Sequence, residues 1–150
     1  MEIMQVVRGA LALLALGLAG CATVVVDRLP DGVDRGYVEF RPGGDEVGRV
    51  LVEDLTHGIR QRIRPTALFG LPDYDLRVAA TPGWHIYNVS VVPKHGAPVG
   101  PSKAVTVPVL KGHLTPVSVR RTIVGRDFSD AGTHIQFTIS VEVGRPVPLK

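Results

Sequence analysis

The chain has 150 residues, of which 45% are hydrophobic and 21% are charged, a composition that excludes a disordered or fibrous protein and fits one globular domain. The formal net charge is +3, and the one Trp, three Tyr and four Phe show no stacking pattern, so nothing indicates nucleic-acid binding. A single cysteine excludes an internal disulfide and a cysteine-based metal cluster.

The N-terminus carries the most specific signal in the chain. A short lead with Arg8 as its basic residue precedes an apolar run of 11 residues, 9–19, rich in Leu, Ala and Gly. An apolar run of this length is typical of an export signal. It ends in the tetrad Leu18-Ala19-Gly20-Cys21, which resembles the lipobox of bacterial lipoproteins.

This resemblance implies that residues 1–20 are a signal peptide and that Cys21 is the lipid attachment site. Covalent diacylglycerol and fatty acid on Cys21 would hold the chain at a membrane, because two or more acyl chains anchor stably. We expect no other cofactor and no metal. Ala22, rather than aspartate, follows the cysteine, which in lipoproteins implies the outer membrane.

An uncleaved membrane-spanning helix is the alternative interpretation of the N-terminus. Residues 9–26 contain no charge over 18 positions, the lower edge of the ~17–25 that can span a bilayer. Against it, the strongly apolar part stops after 11 residues, and residues 21–26 have the β-branched composition of a strand.

The rest of the chain predicts an all-β fold, because Gly and Pro turns separate short Val-, Ile- and Thr-rich runs. Residues 21–36 are expected to be the lipidated N-terminus and a polar tether, and residues 37–150 an immunoglobulin-like antiparallel β-sandwich of about seven or eight strands. The clearest predicted strands are 37–41, 74–80, 84–92, 104–110, 116–124 and 133–143. Pro82-Gly83 is expected to join two of them as a hairpin.

Residues 46–64 are ambiguous between a single helix and a hairpin. Apolar residues recur at helical spacing up to Pro65, yet Gly48 and Gly58 would each cost a helix about 1 kcal/mol. The favoured interpretation is a hairpin of strands 49–55 and 59–64 around a turn at residues 56–58, with Ile59 and Ile63 facing the core.

Three blocks resemble PEGA-type surface-layer modules and related small lipoprotein sandwiches: GYVEF at 36–40, DLRVAATPGWHIYNVSV at 75–91 and VTVPVLKGHLTPVSV at 105–119. The shared features are the turn Pro82-Gly83-Trp84-His85 within a hairpin and the closing segment Gly112-His113-Leu114-Thr115-Pro116-Val117. The resemblance implies a non-catalytic, envelope-attached β-sandwich used for adhesion, assembly or sugar contact.

Candidate catalytic chemistry is sparse. The histidines, at 57, 85, 95, 113 and 134, lack metal-ligand spacing, and His85 is interpreted as a hydrogen-bonded turn residue. Asp73 and Asp75 have the minimum spacing for a carboxylate pair, but a solvated strand face is favoured. We therefore expect a structural or binding module rather than an enzyme, with a small envelope enzyme of unrecognised site as the alternative.

Arg60, Arg62 and Arg64 would project from one face of the predicted hairpin. Such a cationic stripe could contact lipopolysaccharide, peptidoglycan carboxylates, lipid head groups or an envelope protein, because guanidinium groups bind phosphate and carboxylate in a bidentate manner. The competing interpretation is a charged edge strand that discourages aggregation.

Overall fold

The computed structural model describes residues 22–45, 47–63, 74–93, 101–129 and 132–150. The all-β prediction is confirmed, since these residues form strands and turns without a helix. The strands are β1 (Ala22–Val26), β2 (Gly36–Gly44), β3 (Val47–Asp54), β4 (Gln61–Ile63), β5 (Tyr74–Ala80), β6 (Gly83–Pro93), β7 (Lys103–Val109), β8 (His113–Ser129), β9 (Gly132–Val143) and β10 (Val147–Pro148). Within these described ranges there is accordingly no helix long and apolar enough to cross a membrane.

The strands form two sheets that face each other as a sandwich. Sheet A has the order β1-β5-β2-β8-β10, with β9 also paired to β8, and sheet B has the order β4-β3-β6-β7. Sheet B is antiparallel throughout, whereas sheet A contains the parallel pairs β1/β5 and β2/β8. No local pattern in the sequence indicates these parallel pairs, because the two strands of each pair lie far apart along the chain.

The core lies between the sheets and follows from alternation along each strand. In β5, Tyr74, Leu76, Val78 and Ala80 are buried, while the residues between them are half-buried on the outer face. Valines dominate the interior, and the rings of Phe40 and Tyr87 meet edge to face at a centroid distance of 5.2 Å.

The prediction that Pro82-Gly83 joins two strands of one hairpin is wrong. The turn is tight and Gly83 has a φ of 137°, but β5 belongs to sheet A and β6 to sheet B, so the chain crosses between layers. The turn around Gly112 likewise connects β7 in sheet B to β8 in sheet A. These crossings lie at one end of the sandwich, the turn end, and Ala22 and Gly44 lie at the opposite end, the arm end.

The hairpin interpretation of residues 46–64 is confirmed over the described part, 47–63, where β3 pairs with β4 in antiparallel register. The helix alternative is therefore wrong for these residues. Gly58 takes the positive φ expected of it, 73°, within a longer connection than the three-residue turn. The prediction that Ile59 faces the core is also wrong: it precedes β4 and is 77% exposed, whereas Ile63 packs against the core.

The chain enters the sandwich earlier than the expected tether allows. Residues 22–26, expected to belong to the lipidated N-terminus ahead of the tether, form β1, which runs parallel to β5 from Ala22↔Tyr74 to Val26↔Val78. Only the segment after β1 is irregular, and it is held by an ion pair between Arg35 and Asp27. The strand-like composition noted for residues 21–26 therefore corresponds to real sheet pairing for residues 22–26.

Strands β8 and β9 extend beyond the rest of sheet A. β2 pairs with β8 as far as Gly44↔Arg121, and past that point β9 is the partner of β8 among the described residues. A bulge between Ile123 and Gly125 accompanies the departure from the sandwich. We call the two-stranded extension, residues 122–129 and 132–138, the arm.

Candidate functional site

The predicted lipid attachment site, Cys21, immediately precedes the described part of the chain. Cys21 and residues 1–20 lie outside the described residues, and the description begins at Ala22, the first residue of β1. Whatever is attached at position 21 is therefore adjacent to an edge strand of sheet A at the arm end.

The predicted arginine stripe is only partly described. Arg62 lies in β4 and Arg60 just before it, both exposed, while Arg64 lies outside the described residues. Arg62 stands opposite Glu53 of β3, and the Nε of Arg60 lies 3.3 Å from the Glu53 carboxylate. The two arginines and Glu53 line a shallow depression of about 210 Å³ together with Asn88. A carboxylate thus sits between the two cations, which sequence spacing within one strand could not reveal.

A second concavity opens between the two sheets at the turn end, and we call it the interlayer pocket. It has a volume of about 300 Å³, at the small end of ligand pockets. Val26 and Val78 of sheet A form one wall, and Gln61, Ile63 and His85 of sheet B contribute to the other. His57 and Asp54 also line it, so three separate stretches of the chain, 26–29, 54–63 and 78–85, meet there.

His85 is held firmly at the wall of the interlayer pocket and is only 6% exposed. Its Nε2 lies 2.6 Å from the carbonyl oxygen of Thr81, so Nε2 must carry the proton that it donates. Its Nδ1 lies 3.3 Å from the hydroxyl of Thr56, which itself accepts a hydrogen bond from the Ile86 amide at 3.1 Å. The imidazole therefore ties the inter-sheet turn to the β3–β4 connection, and its interpretation as a hydrogen-bonded turn residue is confirmed.

Tyr87 lies behind His85, with the two rings stacked at a centroid distance of 6.2 Å. It is fully buried, and its hydroxyl has no hydrogen-bond partner within the described part of the chain. Burial raises the pKa of the Tyr87 phenol, and the negative charge of Asp54 raises it further. The hydroxyl therefore stays protonated, which makes it a poor acid or nucleophile.

A buried ion cluster on the outer face of sheet A was not predicted from the sequence. Glu39 is 3% exposed and accepts hydrogen bonds from Arg77 at 2.6 and 2.8 Å and from Arg41 at 2.7 Å. Desolvation raises the pKa of Glu39, but the two guanidinium groups outweigh it and the net pKa is lowered. Neighbouring Asp75 has a raised pKa, chiefly from desolvation and then from the charge of Glu39.

The remaining candidate residues do not converge on one place. Asp73 and His95 lie outside the described residues, so the interpretation of Asp73 and Asp75 stays a prediction. His113 interacts locally, its Nδ1 lying 2.8 Å from the carbonyl oxygen of Lys111. In the ranges that the structure describes, no three His, Cys, Asp or Glu side chains come together as a metal site would require.

Comparison with known proteins identifies no relative: no family model, no curated protein and no solved structure matches the chain. The lipobox-like tetrad and the PEGA-like turns therefore rest on the residues quoted for them. One of those features differs from the expected pattern, since the Pro82-Gly83-Trp84-His85 turn connects two sheets instead of lying within a hairpin.

Proposed function

We propose that this chain is a lipid-anchored cell-envelope lipoprotein whose β-sandwich is a non-catalytic structural or binding module. The observation that carries the proposal is the lipobox-like tetrad Leu18-Ala19-Gly20-Cys21 at the end of the apolar run. The residue after the cysteine, Ala22, already pairs with Tyr74 of β5. Cleavage before Cys21 would therefore remove the apolar run and leave the pairing of β1 with β5 intact.

The polar groups described above support a structural or binding role over catalysis. The two ring nitrogens of His85 face hydrogen-bond partners within the domain, and the Glu39 carboxylate is held by two arginines. Groups engaged in this way stabilise turns and strand pairs, whereas a general acid or base must be available to a substrate proton. A catalytic site elsewhere in the chain is the alternative.

The partners of the module follow from its anchor and its charge. Ala22 after the cysteine supports outer-membrane sorting, and exposed Arg60 and Arg62, with Arg64, would contact an anionic polymer such as peptidoglycan or lipopolysaccharide. An envelope protein is the other candidate partner.

Changing Ala22→Asp should shift the protein toward the inner membrane in a two-membrane bacterium, and unchanged outer-membrane fractionation would contradict the sorting proposal.

The anchor is tested by expressing the full chain in a bacterium that processes lipoproteins and labelling with radioactive fatty acid. Wild type and the control Thr23→Ser, an exposed conservative change in β1, should carry label and lack residues 1–20 by intact mass. Cys21→Ser should lose the label. Label that persists in Cys21→Ser contradicts lipidation, and an unlabelled wild-type chain that retains residues 1–20 indicates the uncleaved helical anchor.

A further inference from the structure

The arm and the N-terminus of the domain lie at the same end of sheet A. Ala22 pairs with Tyr74, and Leu76, two residues further on in β5, pairs with Phe40. Tyr74 is thus level with Pro42, which pairs with Val119 of β8. The attachment point at position 21 therefore lies at the level where β8 begins to leave the sandwich.

The arm reaches much further than the attachment point. Ser129 is ten residues beyond Val119 along β8, which with the bulge corresponds to about 30 Å of strand. Laterally, β1 is separated from β8 by β5 and β2, about 14 Å at ordinary strand spacing. If position 21 is at a membrane surface and β1 begins at the next residue, an upright domain would push the arm through most of the ~30 Å hydrocarbon layer.

A two-stranded arm cannot remain in that position. Its outer strand edges carry backbone groups that hydrocarbon would leave without hydrogen-bond partners, and it contains Arg126 and Asp127, both exposed. The domain must therefore tilt until the arm lies along the head-group region. Because Ala22, the residue after position 21, already belongs to β1, no flexible tether separates the anchor from the domain. The domain therefore cannot avoid the bilayer by moving away from the membrane surface.

The side chains of the arm fit that position. Phe128, next to the end of β8, is 80% exposed, and Val124, at the bulge, is 60% exposed, so the arm presents two large apolar side chains to its surroundings. The register aligns Arg126 and Phe128 on the face that continues from Ile123 and Phe137, and it directs Asp127 to the opposite face. One face of the arm therefore combines aromatic and cationic groups, the pair that suits an anionic membrane interface.

We propose that the arm is a second membrane contact, lying on an anionic lipid surface with Phe128 inserted among the acyl chains near the head groups. This inference rests on the proposed N-terminal anchor. The arm then fixes the orientation of the sandwich, with the turn end and the interlayer pocket at the opposite end of the strands from the membrane contact.

The single tryptophan makes the test direct. Trp84 lies at the turn end and is 70% exposed, so wild type has a reporter far from the arm. The double variant Trp84→Phe, Phe128→Trp moves the single tryptophan to the arm, and Trp84→Phe, Val124→Trp is a second arm reporter if the first fails to fold. The full-length membrane-bound chain is reconstituted in phosphatidylethanolamine–phosphatidylglycerol vesicles, with or without lipids brominated near the head group, and flotation is measured alongside fluorescence.

We expect all three proteins to float with the vesicles, with severalfold quenching of the arm tryptophans by brominated lipid and unchanged Trp84 fluorescence. Floating protein with unquenched arm tryptophans overturns the arm contact while leaving the anchor intact. Unquenched tryptophans whose emission shifts to the blue as the protein-to-lipid ratio rises also overturn it, because a second copy then covers the arm. Equal quenching at Trp84 and at the arm contradicts the orientation. Protein that fails to float contradicts the anchor itself.

Discussion

Arg77 of β5 donates two hydrogen bonds, from Nε and Nη2, to one oxygen of Glu39 on neighbouring β2, and the Glu39 side chain is only 5% exposed. The antiparallel register puts the two residues directly opposite each other. Arg41 holds the other carboxylate oxygen, so the outer face of sheet A is stabilised by a charge cluster that covers the pairing of β2 with β5.

This cluster predicts how stability depends on pH. The pKa of Glu39 is lowered in the folded chain, so its stabilisation is complete above the unfolded value of 4.5 and is lost as pH falls through the folded value. Urea unfolding of the full chain in detergent should show stability decreasing below about pH 5. Glu39→Gln should be less stable at neutral pH and should flatten this acid dependence.

Asp75 provides a control, because its protonation should change the stability of the fold in the opposite direction from that of Glu39. Its pKa is raised in the folded chain, so its ionised form destabilises the fold at neutral pH and the penalty disappears on protonation. Asp75→Asn should therefore steepen the acid loss of stability. Equal acid dependence in wild type and Glu39→Gln would mean that the carboxylate is not the titrating group.

The buried hydroxyl of Tyr87 predicts a stabilising substitution. Since no described group pairs with it, Tyr87→Phe removes a desolvation penalty and should raise the free energy of unfolding by about 1 kcal/mol. Tyr37→Phe is the matched control, because that hydroxyl lies 3.5 Å from Asp27 and its removal should be neutral or slightly destabilising. A marked loss of stability in Tyr87→Phe would reveal a bound water or ligand at the hydroxyl.

Two glycines of β2 should respond oppositely to the same change. A Cβ at Gly36 would lie 2.2 Å from the carbonyl oxygen of Leu110 and 2.8 Å from Cγ1 of Val109, whereas a Cβ at Gly43 would meet nothing within 4 Å. Gly36→Ala should cost about 1–3 kcal/mol by overpacking the turn end. Gly43→Ala should be neutral or stabilise by up to about 1 kcal/mol. The measurement is thermal unfolding of the two variants under the same conditions. Equal changes in stability would contradict the close packing of Gly36 against Leu110 and Val109.

The carboxylate within the arginine stripe predicts a gain as well as a loss of binding. Replacing Arg60, Arg62 and Arg64 by Ser should reduce retention of the protein on purified peptidoglycan or lipopolysaccharide. Glu53→Gln should increase it, because the counter-charge 3.3 Å from Arg60 is removed. Both effects should weaken with salt, since exposed charges are screened over about 8–10 Å. Retention unchanged in both variants would leave the stripe as protection of an edge strand.

The sequence by itself determined the all-β fold and the position of most strands, and it favoured the β3–β4 hairpin over a helix without deciding between them. These are local properties: alternation buries one face of β5, and Gly58 supplies the positive φ of a connection. The lipobox-like tetrad before Ala22 is also a local pattern, since it consists of four consecutive residues. His85 could be interpreted correctly for the same reason, because its partner Thr81 is four residues away.

Only the tertiary structure decided which strands are neighbours. A tight turn at Pro82-Gly83 is compatible with a hairpin or with a crossing between sheets, and the choice depends on which strands complete each layer. The Glu39–Arg77 pair spans 38 positions, so neither residue signals the other along the chain. The arm could not be predicted from β8 alone, because β8 leaves the sandwich where its partner β2 ends at Gly44. Local patterns specify the strands, but their pairing depends on which arrangement of all the strands buries their apolar faces in one core.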